Sequence, residues 1–183
     1  MSFDIVELPV CGYRQVARHT PEGARAVCRE AILGKGKAVI DLAYPENRPI
    51  TVETKTTLFN NGLRDGEIRL LLHSRIEVPV PRAAIARIGL RPAPPRNPGW
   101  IATVDVPRIG DGHGTLLEFA LALGRRFSDD AGRSHSFVSA RCPDGKFELE
   151  MSKAVFKNEA NTPAVPSTTI LKARLLVPCK RGR

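Results

Sequence analysis

TLLEFALALGRRF (115–127), SHSFVSARCPDGKFELE (134–150) and TTILKARLLVPCK (168–180) close a chain of 183 residues, and their reading decides its fold class. Leu, Ala and Glu in 115–123 favour a helix by intrinsic propensity. The pattern says otherwise. Leu117, Phe119, Leu121 and Leu123 alternate with Leu116, Glu118, Ala120 and Ala122, a period of two, and Gly112, Gly114 and Gly124 bound the run at strand length. The three segments therefore read as successive strands.

Working outward, the period of two persists through most of the chain. ITVETKTTLF (50–59) is rich in β-branched residues, and KAVIDLAY (37–44) loosely alternates. IARIGLR (85–91) places Ala86, Ile88 and Leu90 on one side and Arg87 and Arg91 on the other, and WIATVDVP (100–107) is a further strand. Asn60-Asn61-Gly62 and Asp65-Gly66 carry turn chemistry, which predicts a hairpin of 51–59 with 67–73. One helix is expected, over about 21–33: Thr20 caps it, Pro21 takes the first helical position, and Ala24, Val27, Ala31 and Ile32 recur at helical spacing up to Gly34. About nine or ten short strands with this one N-terminal helix predict a mainly-β fold, a β-sandwich. The proline-rich connector 92–98 is short, so residues 1–183 are expected to form a single interdependent module.

Composition sets outer limits. An apolar share of 42% and a charged share of 26% belong to a globular protein. No apolar run approaches the roughly 20 residues of a membrane span. The net charge of +9 invites an anionic partner, but Arg and Lys are scattered, with dense clusters only at 124–126 and 180–183. Aromatics make up 5%, few for a base-stacking surface, so nucleic acid is not the expected partner.

Four cysteines, Cys11, Cys28, Cys142 and Cys179, permit three disulfide connectivities. None forms C-x-x-C and no His stands at metal-ligand spacing, which argues against zinc. If 146–156 and 168–178 run antiparallel, Cys179 returns beside Cys142. Cys11 ends an extended segment and Cys28 sits on the helix, making the second pair. In the chain-entropy account, closing such loops stabilises by about 3–4 kcal/mol. Disulfides imply an oxidising compartment, and four reduced cysteines would imply the cytosol.

The order of several segments adds a resemblance. Cys11, VCREAILGKGKA (27–38), TLFNNG (57–62), LLLHSRIEVPVPRA (70–83), LGRRFSDDAGRSHSFVSARCPDGKF (123–147) and PCK (178–180) resemble a group of exported β-rich proteins of high-G+C bacteria. Those close on a strand ending in a basic residue and Phe, then "SYLSA-C-P", then a terminal Cys-Lys or Cys-Arg. Phe137 stands here where Tyr is commoner, and an insertion around Asn158–Pro166 departs from the simpler hairpin. The resemblance carries over no activity. In that group a signal peptide and further strands precede the segment of Cys11, whereas MSFDIVELPVCGY shows no signal peptide. Met1 is accordingly expected to be an internal or misassigned start.

His19, His73, His113 and His135 are far apart, and no metal site is expected from them. Ser134, Ser136 and Ser139 flank His135 without a G-x-S-x-G elbow or a third group, so no catalytic set is expected. G-D-G-H-G (110–114) lacks phosphate-loop order and reads as a turn, Asp129-Asp130 as a solvated acidic pair, and Trp100 as a core or sheet-edge plug. The expectation is a non-enzymatic, cofactor-free exported protein, structural or binding in role, at the cell envelope or outside the cell. An anionic wall polymer is the candidate partner. The alternatives are an intracellular nucleic-acid-binding β-protein and, behind it, a hydrolase on a sandwich scaffold.

Overall fold

Asp65-Gly66 organises the larger part of the molecule. Both residues have positive φ, 54° and 75°, the conformation that a two-residue hairpin turn demands. The turn joins strands β3 (Ile50–Arg64) and β4 (Glu67–Ile76). The structure is a computed structural model that describes residues 2–5, 8–43, 48–78, 81–95, 99–139, 145–151 and 173–178. Backbone contacts divide the chain into two units, Met1–Ser139 and Ala140–Arg183, each described by itself.

In the first unit, β1 (Ser2–Phe3) precedes two short helices, α1 (Tyr13–Ala17) and α2 (Pro21–Val27). Strands β2 (Ile32–Leu42), β3, β4, β5 (Arg82–Pro92), β6 (Trp100–Asp105) and β7 (Gly114–Leu123) form one antiparallel sheet in the order β6-β5-β4-β3-β2-β7. It curls into a half-barrel. β2 and β7 approach closely at Gly36, where a Cβ would collide with the Ala120 carbonyl oxygen, so only glycine fits. Strands β8 (Arg126–Ser128) and β9 (Ser134–Ser136) form a small hairpin, and β10 (Val138–Ser139) pairs with β1.

The mainly-β architecture is the one expected, and 115–123 is a strand. The N-terminal helix lies in its predicted place. Thr20 accepts a hydrogen bond from the Gly23 amide at 3.2 Å, α2 follows, and a 3-10 turn covers Arg29–Ala31. Ile32 and Leu33 belong instead to β2, where Ile32 pairs with Phe59. The helix α1 was not read from the sequence.

Asn60-Asn61-Gly62 is not the hairpin turn. It is an irregularity within β3, between Asn60 and Leu63. Asn60 is fully buried, donates from Nδ2 to the Leu8 and Pro9 carbonyls at 3.0 Å each, and accepts from the Gly62 amide at 2.9 Å. The Cys11 amide donates to the Asn60 carbonyl and Asn61 donates to the Cys11 carbonyl, both at 2.8 Å. Turn-type residues here fasten the N-terminal segment to the sheet.

Successive residues of the central strands are buried on opposite faces. Leu58, Ile68, Leu70 and Leu90 pack with Ile5, Leu8 and Phe137, flanked by Phe3, Phe127 and Val138. Phe59, Leu71 and Ile85 pack on the other face with Val16, Ala24, Cys11 and Cys28. The sheet therefore has a β-covered face and a helix-covered face. This is why LLLH (70–73) lacks alternation. In the second unit, β11 (Lys146–Met151) and β12 (Ala173–Pro178) pair antiparallel from Lys146 opposite Pro178 to Met151 opposite Ala173.

Candidate functional site

The densest cluster of chemistry-bearing side chains gathers around His135. The β8–β9 hairpin turn begins at Asp129, whose carboxylate accepts from the Arg133 amide at 2.8 Å and from Arg133 Nε at 2.6 Å. His135, on β9, comes back across the hairpin with Nε2 at 3.1 Å from the Asp129 carboxylate. Its Nδ1 lies 3.1 Å from the carboxylate of Asp4, which follows β1. The Phe127 ring stacks on the imidazole at 5.4 Å between centroids. Asp129 is buried, while His135 and Asp4 are part-exposed, at 31% and 39% of their side-chain surface.

Electrostatics follow from that geometry. The Arg133 amide, then the Arg133 guanidinium and His135, hold the Asp129 carboxyl below the usual carboxylate range, against an opposing effect of burial. The bond to Asp129, then that to Asp4, raises the imidazole above the ordinary histidine value, again against burial. Each ring nitrogen lies 3.1 Å from a carboxylate oxygen, an arrangement in which the protonated ring donates from both and which favours that form. A general base needs a lone pair on one nitrogen, and a metal ligand needs the same. Here both positions are filled. The Ser136 hydroxyl donates instead to the Val138 carbonyl at 2.9 Å, and among the described residues no hydroxyl or thiol bonds to His135. The cluster links the segment after β1 to the β8–β9 hairpin through Asp4, His135 and Asp129.

Sequence reasoning named His135, Asp129 and Ser136 separately but missed that Asp129 and Asp4 grip the same ring. The Asp129–His135 spacing across a hairpin was the available signal; Asp4 lies 131 residues from His135 and left none.

The remaining sequence candidates lie elsewhere. His73, on β4 beneath α2, is fully buried opposite Thr57 and Ile85. Burial first, then Arg75 and Arg25, push its pKa down, with Glu22 opposing, and its Nε2 has no hydrogen-bond partner among the described residues. Among the described residues no group of three or more His, Cys, Asp or Glu could hold a metal ion. The segment 110–114 finishes a 3-10 turn and opens β7. Trp100 begins β6 and meets Phe3 edge to face at 4.9 Å.

Cys11 and Cys28 form a disulfide across 17 residues, with Cα atoms 5.6 Å apart. Cys142 and Cys179 lie outside the described residues. An open cleft of about 220 Å³ runs beside Cys28, lined by Val10, Gln15, Val27 and Arg29 among others. It is not at His135. Basic side chains are interspersed with acids: Arg25–Glu22 at 2.6 Å, Lys37–Glu53 at 3.2 Å, Arg75–Glu77 at 2.9 Å and Arg125–Glu30 at 2.8 Å.

Compared with protein-family models, with curated proteins and with solved structures, the chain matches none. Its chemistry is read from its own residues.

Proposed function

We propose that the chain is a non-enzymatic exported protein that acts at the cell envelope or outside the cell through structural or binding surfaces. The observation that carries this reading is the Cys11–Cys28 disulfide, which ties the N-terminal segment to the end of α2 within the core. Such a bond persists in oxidising compartments and is rare in the cytosol. No helix among the described residues is long and apolar enough to cross a membrane. The resemblance of 123–147 and 178–180 to exported β-rich proteins of high-G+C bacteria supports the same compartment. The net charge of +9 suits weak attachment to an anionic wall polymer.

Two rivals are weaker on specific grounds. A hydrolase that used His135 as its base would need a ring nitrogen to spare, and both are engaged by carboxylates. A nucleic-acid surface needs a continuous cationic stripe, and here ion pairs interrupt the basic residues. Non-reducing peptide mapping of the protein from its native host tests the proposal. Cys11–Cys28 and Cys142–Cys179 bridges are expected. Thiols at all four positions would place the protein in the cytosol and remove the basis of the reading.

A further inference from the structure

The outer edge of β7 carries an inference about a partner. β7 bonds to β2 along one side, and among the described residues no strand pairs with its other side. Natural sheets blunt such edges with lysine, proline or brevity. This one runs ten residues, Gly114–Leu123, with Glu118 as its single charge. Leu117, Phe119 and Leu123 are exposed at 59%, 43% and 42%.

Backbone parity restricts what can bind there. The carbonyls of Ala120 and Ala122 point at β2, against Gly36 and Gly34. Backbone groups of a strand alternate in direction, so Phe119, Leu121 and Leu123 present N–H and C=O outward. An antiparallel partner must place its own outward-bonding residues opposite these.

We propose that this edge pairs with the same edge of a second copy, antiparallel, about a two-fold axis at Ala120. In that register Phe119 opposes Leu121 of the other copy on each side of the axis, apolar against apolar on the β-covered face. On the helix-covered face Glu118 opposes Ala122, whose neighbour across the existing ladder is Lys35. Lys35 is exposed and makes no ion pair among the described residues. The alanine between them lets Glu118 of each copy reach Lys35 of the other. Sliding to Phe119 opposite Phe119 brings Glu118 beside Lys37 instead, which already holds Glu53 at 3.2 Å and its own Glu118 at 4.0 Å. A further slide sets Glu118 against Glu118. Charge complementarity therefore selects the Ala120-centred register, and it selects a second copy because one edge supplies both acid and base.

Ala120 is exposed and faces itself at the axis in a non-hydrogen-bonded pair. Cα atoms there stand about 4.5 Å apart, within disulfide reach. In the intact chain, Ala120→Cys is expected to give a covalent dimer under mild oxidation. Glu118→Cys and Ala122→Cys, which do not face themselves, should cross-link about tenfold less. In sedimentation, Glu118→Lys or Lys35→Glu alone should weaken the dimer about tenfold, and the double reversal should restore it. Equal cross-linking at the three positions would overturn the proposal. So would a wild-type chain that stays monomeric to about millimolar concentration, or charge reversals that show no rescue.

Discussion

The layers on the two faces of the main sheet each hold one histidine, buried on the helix side and part-exposed on the β side, and the two meet opposite surroundings. On the helix-covered face His73 is buried near Arg75 and Arg25, and burial first, then those cations, lower its pKa and favour the neutral ring. On the β-covered side His135 is held between Asp4 and Asp129, which raise its pKa and favour the charged form. The same side chain serves as a space-filling ring in one layer and as an ionic rivet in the other. The difference lies in the neighbours. Cations and apolar groups surround the first, and two carboxylates surround the second.

The comparison can be broken most severely at its aromatic anchors. Phe59 and Phe137 are both fully buried, one on each face. Phe59→Ala and Phe137→Ala should each cost about 3–5 kcal/mol in urea unfolding. A much smaller loss for Phe137→Ala would show that the β cover is loosely packed.

Next in size is the covalent tie. Replacing Cys11 and Cys28 together by Ala should cost about 3 kcal/mol. The loss should be the same at pH 5 and pH 8, since no titrating group is involved. A loss that varied with pH would couple the disulfide to the histidine beneath the same helices.

The pH dependence sharpens the contrast itself. The folded pKa of His135 is raised, so its stabilisation is fully present below the ordinary histidine value of about 6.5 and is lost as pH rises through the folded pKa. The folded pKa of His73 is lowered, so its neutral form costs nothing above about 6.5, and stability falls as pH drops toward the folded pKa. Stability should therefore peak near neutrality. His135→Gln is expected to flatten the alkaline limb, and His73→Leu the acid limb. A His135→Gln profile that still falls between pH 6.5 and 8.5 would place the clasp's charge elsewhere.

The smallest expected effect is His73→Leu at pH 7. It removes a buried nitrogen that has no partner among the described residues while nearly conserving volume, so a change within about 1 kcal/mol is expected. A loss beyond about 2 kcal/mol would mean that Nε2 is satisfied after all.

Local chemistry was legible from the sequence. The alternation of Leu117, Phe119, Leu121 and Leu123 located β7, Thr20-Pro21 located α2, and Asp65-Gly66 located the hairpin turn. The cysteines pointed to the Cys11–Cys28 bond. What escaped depends on partners far along the chain. Asn60-Asn61-Gly62 has turn composition, yet Gly62, with φ of 95°, serves a bulge and Asn60 reaches Leu8 across 52 residues. Helix α1, five residues of YRQVA, is too short to show a period. The site cluster had a readable half, Asp129 and His135 on one hairpin, and a half that only the fold supplies, Asp4.

β1 pairs with β10, Ser2 opposite Ser139, whereas the disulfide closes within the first 28 residues. A chain emerging N-terminus first can therefore acquire its covalent bond early, while its opening strand waits for nearly 140 residues before its mate exists. Contacts so distant in sequence form late and slowly. Until then Phe3 and Ile5 lack their cover from Phe137. Strand β1 thus stays unsheltered until β10 is made, and that interval is when a chaperone would find it.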